Sequence, residues 1–528
     1  NVALDVLSNK LNVLDANQWW EQAQLYGVPA AANHASNTDW YDVLTKSGYT
    51  QNHTISFGAG TDKFNYRASV SAILQDGVVI NSGNDKYIAR LSANQKALND
   101  HLNITMNINT GIIQTTNSIQ SIGNAAFTSN LVTNSYFMRP TDPVFNTNGS
   151  YYTDPNVFEY LNPYAVAQTT VNEAENNNLF VSLDADLNVY KGITFGWFGS
   201  WRKINNSIGF FLPVSSTDAN AINQNGFANI NNNDQDEKLT NVSLSYKNTF
   251  GIHKIDVLAL YEWQQQTYQG NFAQARGFFN DETTYNALQA GDLSDVRSGD
   301  ISSYKNDRSL VSFLGRLNYT LLDKYLITLS YRRDGSSVFG ENNKWGNFPA
   351  VSLAWRIDEE NFMQDGIFDQ LKLRGSYGVT GNQQGLFPQQ SLPLVSPSGV
   401  TYFGGEEISN FRISQNSNED LKWERKKQTN IGLDFSLIDS RLRGAIDAYT
   451  ATTDDLLFNY TVPQPPFPYN TIAANVGSIR NRGLEFALSY DFIRNENTQL
   501  TLGGNFSLLD NKVLNLSGDI NGVELNTN

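Results

Sequence analysis

Three acidic residues, Asp234, Asp236 and Glu237, stand close together in a segment, 231–238, that we predict to be a loop. Carboxylate oxygens at such spacing suit Ca²⁺, but the segment lacks the glycine and the distal glutamate of an EF-hand loop. Two further carboxylates, Asp184 and Asp186, lie two residues apart and could form a general acid–base pair. Since neither group has an obvious catalytic partner, we interpret the first as a solvated loop and the second as residues lining a polar surface.

The remaining candidates for chemistry are few. The four histidines, His34, His53, His101 and His253, are scattered along the chain, and there is no cysteine. HExxH, GxSxG and glycine-lysine phosphate-loop patterns do not occur. The sequence therefore predicts no catalytic residue, no metal site, no cofactor and no enzymatic activity.

Aromatic residues in predicted loops are better candidates for binding. A flat apolar ring beside asparagine and glutamine amides can stack on a sugar ring or pack against another protein. We predict that six of these aromatic residues contact ligand, namely Tyr151, Tyr152, Tyr160, Trp345, Phe387 and Tyr402. Other aromatics, among them Tyr325, Tyr331, Trp355, Tyr377 and Tyr490, fall on apolar strand faces near strand ends, as in the aromatic girdles of membrane barrels.

Composition limits the fold and the partners. No break in composition divides the 528 residues, so we predict one domain over residues 1–528. Only 17% of the residues are charged, 12% are aromatic and 39 are glycine, a mixture that favours strands and turns over helices. The net charge of −15 and the absence of any lysine-arginine run longer than 425–427 exclude a nucleic-acid-binding surface.

A long hairpin, Lys324–Ile357, shows the repeating element most clearly. Tyr325, Ile327, Leu329 and Tyr331 alternate with polar residues, so one face of the strand is apolar. The strands run to about ten residues, which is the length that a tilted strand needs to cross a bilayer. A mean hydropathy of −0.40 does not contradict this, because the polar residues that face a barrel interior lower the average.

The connections alternate in length along the chain. Short turns, such as 98–100 and 322–324, alternate with long loops, which we place at 117–178, 206–238, 270–308, 381–426 and 456–479. Up-and-down barrels of the outer membrane have short periplasmic turns and long extracellular loops. We therefore predict an all-β fold, a transmembrane antiparallel up-and-down β-barrel with about seventeen strands. One short helix, Ala16–Tyr26 with Asp15 as its N-cap, is predicted before the first clear strand.

Four motifs in a fixed order resemble one family. They are RRDGSSVFGENNKWGNFPAVSLAW (Arg332–Trp355), LKLRGSYGVTGNQ (Leu371–Gln383), LKWERKKQTNIGLDF (Leu421–Phe435) and NVGSIRNRGLEFALSY (Asn475–Tyr490). An earlier segment, Ser47–Ser71, is similar to an early barrel hairpin of the same family. Together they resemble the SusC/RagA branch of TonB-dependent outer-membrane transporters.

The resemblance implies a specific architecture and set of partners. In that family a barrel of about 22 strands encloses an N-terminal plug, a TonB box precedes the plug, and a SusD-like lipoprotein closes over the mouth. The resemblance thus implies import of oligosaccharides or peptides through the outer membrane, with TonB, surrounding lipid and a possible dimer of transporter–lipoprotein pairs. Because this chain shows about 16–17 strands and no plug or TonB box, we expect the plug and the C-terminal strands to lie outside it.

Two alternative functions stay open at this point. A passive or scaffolding outer-membrane barrel, docked to a larger assembly, would need no plug and no TonB. An outer-membrane hydrolase would need acidic and histidine side chains that converge at the rim of the barrel.

Overall fold

The structure is a computed structural model that describes residues 2–5, 10–117, 131–154, 157, 162–216, 224–363, 366–520 and 523–526. Within these residues four α-helices occur: α1 (Ala16–Leu25), α2 (Trp40–Leu44), α3 (Leu131–Phe137) and α4 (Pro163–Thr169). Short 3₁₀ helices lie at Ala30–Ala32, Thr284–Ala290, Glu341–Asn343, Ile357–Glu359 and Asn361–Met363. No helix among the described residues is long and apolar enough to cross a membrane.

The strands, in chain order, are β1 (Val2–Asp5), β2 (Gly48–Gly60), β3 (Phe64–Asp76), β4 (Gly83–Ala97), β5 (Leu102–Thr116), β6 (Val171–Tyr190), β7 (Ile193–Leu212), β8 (Phe227–Phe250), β9 (His253–Arg276), β10 (Ile301–Leu321), β11 (Tyr325–Ser336), β12 (Trp345–Arg356), β13 (Phe368–Asn382), β14 (Leu394–Phe403), β15 (Glu406–Gln415), β16 (Glu424–Leu437), β17 (Leu442–Asp454), β18 (Leu457–Thr461), β19 (Thr471–Asn475), β20 (Ser478–Arg494), β21 (Gln499–Asn515), β22 (Ser517–Ile520) and β23 (Val523–Asn526).

One antiparallel sheet of 17 strands contains most of the described chain. Each of its strands pairs with the next one in sequence, except that β13 pairs with β16 and β17 with β20, because two hairpins, β14–β15 and β18–β19, project from the long connections. In this sheet β1 and β21 are the two edge strands. This meander is the up-and-down order that the alternating connections predict.

Alternation gives the sheet two chemically different faces. We call the face that carries Ile55, Phe57 and Leu329 the outer face, and the face that carries Asp184 and Arg332 the inner face. The apolar side chains of the outer face are exposed, Ile55 by 74% and Phe57 by 60%. An exposed apolar band of this extent, opposite a charged face, indicates that lipid covers the outer face and water fills the inner one.

Several of the short turns are made by consecutive residues in the left-handed conformation. Leu98, Asn99 and Asp100 have φ of 51°, 54° and 66°, and 438–440 repeats this conformation with φ of 60°, 52° and 58°. The predicted positions of these turns are confirmed. The longest connections lie at the opposite end of the sheet, which we call the long-loop end and which faces the cell exterior in barrels of this kind. The β12–β13 connection, 357–367, is a longer exception at the short-turn end.

The predicted hairpin Lys324–Ile357 is confirmed as β11 and β12, which together end at Arg356, and the predicted helix is confirmed as α1, with Asp15 accepting a hydrogen bond from Gln18 N at 2.9 Å. Three predicted loops were too long, because β6 to β10 continue well beyond the apolar band. The segment 231–238 is therefore part of β8, and its prediction as a solvated loop was wrong. Strand alternation places Glu237 on the opposite face from Asp234 and Asp236, so the three carboxylates diverge.

Aromatic side chains mark the two borders of the apolar band. At the short-turn end Tyr325 stacks on Trp355 with ring centroids 6.5 Å apart, and both rings hydrogen-bond to Glu360. At the other border Phe313 lies between Tyr261 and Trp345, with centroids at 5.4 and 6.2 Å. Such girdles are typical of side chains at the two membrane–water interfaces.

We expect a charged substitution to lower the stability of the barrel when it lies on the outer face and not when it lies on the inner face. Leu329→Arg places a cation in the middle of the outer band and is expected to lower the free energy of unfolding in bilayers by about 2–4 kcal/mol. The matched control is Ser352→Arg, because Ser352 pairs with Thr328 at the same depth on the inner face. Denaturant unfolding in lipid vesicles measures both variants, and equal losses would contradict the assignment of the two faces.

Candidate functional site

The long-loop end is folded into two lobes, and the first lobe is built by segments 10–47, 77–82, 131–154 and 162–170. Its apolar core consists of Leu44, Val79, Leu131, Val166 and Ala167, each at most 5% exposed. Full burial of an aliphatic side chain contributes about 1.5–3 kcal/mol, so this cluster suffices to hold helices α2, α3 and α4 together. The first lobe is therefore an ordered platform on top of the sheet.

A buried polar network fastens the same segments. Asp142 is fully buried, lies 2.9 Å from His34 Nδ1 and forms an ion pair with Arg139 at 3.2 Å, while Arg139 also pairs with Asp154. The ring of Tyr152 packs on His34 with centroids 5.0 Å apart. Burial, and next the two neighbouring carboxylates, raise the pKa of Tyr152 to about 12, so this phenol stays protonated. Its role here is structural, because only 8% of the residue is exposed.

A cleft of about 530 Å³ opens between α1, α2 and α3. Trp19, Tyr41 and Tyr136 line it, and the last two rings stack with centroids 5.6 Å apart. Lys10 sits 5.3 Å above the Tyr41 ring, where Asp39 holds its Nζ at 2.6 Å. Aromatic walls beside amide and charged groups can hold a sugar face or the side chain of a peptide.

The second lobe consists of segments 337–344, 383–423 and 455–477. Its core includes Val338, Phe339, Leu421, Trp423 and Ala473, and the Phe339 and Trp423 rings lie only 4.6 Å apart. The core joins three connections that are distant in sequence. Folding of one of these segments therefore depends on the other two.

Asparagine side chains fasten the second lobe where regular strand pairing is absent. Asn416 donates hydrogen bonds from Nδ2 to the carbonyls of Tyr469 at 2.6 Å and Thr471 at 2.9 Å. Asn475 donates to the carbonyl of Lys422 at 2.7 Å and accepts from the N–H of the same residue at 2.8 Å. Both asparagines satisfy backbone groups that the irregular chain would otherwise leave without partners.

The β14–β15 hairpin projects from the second lobe. Its two-residue turn, Gly404–Gly405, has φ of 65° and 87°, the conformation that favours glycine in tight hairpins. Tyr402 and Phe403 at its tip are 74% and 79% exposed. Two adjacent exposed aromatic side chains on a projecting hairpin indicate a surface that contacts another molecule.

The connection between β9 and β10 folds back over the outer face above the apolar band. Tyr285 lies against Gly209, where an added Cβ would come within 2.3 Å of its ring, and its hydroxyl donates to Glu173 at 2.5 Å. At the base of this connection Arg276 and Asp300 form a buried, two-bond ion pair at 2.6 and 2.9 Å. The hydrogen bonds from Arg276 hold the pKa of Asp300 well below its usual range, although burial opposes this shift.

The inner face carries paired charges. Arg332 contacts Asp334 at 2.8 Å, Glu262 at 3.2 Å and the hydroxyl of Ser312 at 2.8 Å. Another group joins Arg374 to Asp434 and Asp447 at 3.1 and 2.6 Å. Asp184 and Asp186 also lie on this face, as the interpretation of a polar lining requires. These networks give the interior a hydrated, charged surface.

The five predicted ligand contacts that the structure describes lie in different parts of it. Tyr151 stacks on Phe145 within the first lobe, whereas Phe387 is 71% exposed and Tyr402 lies at the hairpin tip. Tyr160 lies outside the described residues. Trp345, which we predicted in a loop, is the first residue of β12, and its pairing with Gly335 places it on the outer face. That loop prediction was wrong, because the strand begins earlier than its polar start indicates.

Sequence reasoning missed the cleft and the asparagine fastenings. Trp19 and Tyr41 lie on two helices whose packing against α3 depends on a connection more than eighty residues later. The sequence signal for Asn416 and Asn475 was weak, since asparagine is common in ordinary loops. Only the aromatic residues and the helix-capping residue Asp15 could be recognised from the local sequence.

Exposed apolar and charged faces on one sheet, with folded connections at one end, define an outer-membrane β-barrel of the receptor type. A family model described as TonB dependent receptor-like, beta-barrel, matches residues 114–527. The chain belongs to this family of TonB-dependent receptor β-barrels, whose members are outer-membrane proteins.

Individual relatives agree with this assignment. TonB-dependent receptor P3 of Formosa agariphila is 31% identical over 94% of this chain and 49% of its own length. TonB-dependent receptor SusC of Bacteroides thetaiotaomicron is 29% identical over 92% of the chain and 48% of its own length. The chain thus spans about half the length of these relatives.

Solved structures share the fold. The RagAB peptide importer in its closed-closed state superposes with a TM-score of 0.81 at 21% identity, covering 98% of this chain and 60% of that one. The ferric citrate transporter FecA, unliganded, gives a TM-score of 0.52 at 9% identity over 89% of this chain and 58% of that one. At these identities the structural likeness shows the fold alone. The resemblance to SusC/RagA-type receptors that the sequence motifs indicated is confirmed by the family model and the SusC relative.

The hydrogen bonds donated by Asn416 predict a local effect on hydrogen exchange. Asn416→Ala leaves two half-buried carbonyls, those of Tyr469 and Thr471, without their side-chain donor, and each lost partner costs about 1–3 kcal/mol or less where water replaces it. We expect hydrogen exchange to speed up in residues 467–473 and to stay unchanged in β16 and β17. Asn459→Ala, an exposed asparagine of the same lobe, is the matched control; a similar change in both variants would contradict the role of Asn416.

The Arg276–Asp300 pair predicts a pH dependence. Because the folded pKa of Asp300 lies below its unfolded value, its contribution to stability is complete above about pH 4 and is lost as the pH falls further. The protection factors of residues 292–300, which are exchange rates corrected for the intrinsic pH dependence of amide exchange, are therefore expected to fall as the pH drops below about 4. Asp300→Asn should flatten that dependence, and an unchanged profile in the variant would assign the effect to other groups.

Proposed function

We propose that this chain is the barrel part of a SusC-like, TonB-dependent importer that takes up oligosaccharides or peptides together with a SusD-like lipoprotein. The main support is the folded long-loop end, where an aromatic cleft and an exposed aromatic hairpin stand above a charged interior. In this proposal the plug and the TonB box belong to segments outside the chain.

The cleft supports a cargo with both apolar and hydrogen-bonding groups. Its stacked rings, Tyr41 and Tyr136, offer flat apolar surface, while Asn37 and Asp39 stand beside them. Sugars and peptides combine such surfaces, whereas a small ion would not use the rings. The paired charges of the inner face, which leave few groups to trap a cargo, suit passage better than tight retention.

The hairpin supports a covering partner. Tyr402 and Phe403 are consecutive residues of β14, so their rings project from opposite faces of one hairpin tip. The base of this hairpin is ordered, because Gln415 Nε2 donates to the carbonyls of Gln389 and Leu392 at 2.9 and 2.8 Å. A lipoprotein that closes the mouth would bury these two rings and would gain most of its affinity from them. We assign this role to the hairpin tip and the cargo role to the cleft.

Uptake by whole cells tests the proposal. Cells that express the complete receptor and its neighbouring lipoprotein are supplied with a mixture of malto-oligosaccharides and a tryptic casein digest, and depletion of each compound is followed by mass spectrometry. We expect depletion of one class, loss of uptake when TonB is deleted, and at least a fivefold slower rate for Tyr402→Ser with Phe403→Ser, since two buried anchors contribute about 2 kcal/mol or more.

The control and the contrary outcomes are specific. Thr401→Ala, next to the tip, should leave uptake unchanged. Depletion that persists without TonB would favour a passive barrel, and the absence of any depletion, with the receptor still bound to other membrane proteins, would favour a scaffold. The hydrolase alternative would require product formation outside the cell, before uptake.

A further inference from the structure

The outer face carries a groove just inside the long-loop border of the apolar band. Ala259 and Gly315 are paired residues on β9 and β10, and their small side chains leave a depression of about 570 Å³. A Cβ added to Gly315 would meet no atom within 4 Å. Tyr261, Phe313 and Tyr331 wall the depression and remain 39%, 48% and 51% exposed. The protein itself therefore does not fill this space.

A cation stands at the upper end of the groove. Arg333 lies directly opposite Phe313 in the β10–β11 pairing, so its side chain is on the outer face. Its guanidinium lies 5.1 Å from the ring centroid of Trp345, which in turn stacks on Phe313. The neighbouring Arg332 is on the inner face and is paired with Asp334 and Glu262. Arg333 is exposed and is oriented by rings rather than by a carboxylate.

The position of Arg333 along the membrane normal determines which part of a lipid its guanidinium can contact. Below it the outer face is apolar, and above it the face turns polar with Ser309 on β10 and Gln265 on β9. The guanidinium therefore sits at the level of lipid head groups, on the side of the membrane where the long loops are. Arginine binds phosphate through two parallel hydrogen bonds, and an aromatic face restricts its motion beforehand.

We propose that this surface is a specific binding site for an anionic lipid of the outer leaflet, whose head-group phosphate has no cationic group beside it. One acyl chain fills the Ala259–Gly315 groove between the three aromatic walls, and a head-group phosphate pairs with Arg333. The hydroxyl of Tyr331, which donates to Asn347 at 2.8 Å, fixes the wall nearest the head group. This inference depends on the position of the barrel in the membrane and not on the cargo or the covering lipoprotein.

Lipid titration of the complete, delipidated receptor tests the site. The probes are diphosphoryl lipid A, phosphatidylglycerol and phosphatidylcholine, and native mass spectrometry counts bound lipids at each concentration. We expect one tight event with an anionic probe, weakened about fivefold by Arg333→Gln, because one basic side chain near a charged surface contributes about 1 kcal/mol. Tighter binding of lipid A identifies a glycolipid source, and tighter binding of phosphatidylglycerol identifies a phospholipid; both support the site.

Matched variants separate this site from general lipid coating. Lys305→Gln removes an exposed outer-face cation farther from the band, and it should leave the tight event unchanged. Gly315→Leu should abolish the event by filling the groove, whereas Gly504→Leu, at a second outer-face glycine with no atom within 4 Å, should not. Equal binding of all three probes, or equal loss in Arg333→Gln and Lys305→Gln, overturns the proposal.

Discussion

Backbone hydrogen bonding in lipid is the constraint on which this structure depends. A peptide group that loses its partner inside the hydrocarbon layer has no water to replace it, so each strand must be paired along its whole membrane segment. Strands β3 to β12 satisfy this condition, because each has partner strands on both sides, with registers free of shifts over most of the pairs. The connections, which lie in water, are free to differ in length and structure.

Those connections are ordered by a second, weaker set of interactions. The first lobe uses an apolar cluster together with buried charges, whereas the second uses aromatic packing and asparagine side chains that take the place of strand partners. Both solutions join segments that are far apart in sequence. Each lobe therefore depends on the sheet, which holds the ends of these segments close together.

The sequence predicts the membrane part of the fold well, and the reason is physical. Where one face meets lipid and the other meets water, every second residue is apolar, as in Tyr325–Tyr331. Above the membrane both faces of β8 meet water, and Asn231–Glu237 consequently shows no alternation although it is fully paired. The same loss of alternation explains why the predicted strands were shorter than the observed ones. The cleft could not be predicted, because it depends on contacts between loops that are distant in sequence.

The unequal lengths of the strands shape the entrance. At about 3.3 Å per residue the 24-residue strands β8 and β9 span roughly 80 Å, whereas the 12-residue strands β11 and β12 span roughly half of that. Because both hairpins cross the same bilayer, the additional length of β8 and β9 extends beyond the membrane on one side of the opening. The sheet is therefore taller at β8 and β9 than at β11 and β12, and the second lobe, which includes the β11–β12 connection 337–344, stands where the sheet is low.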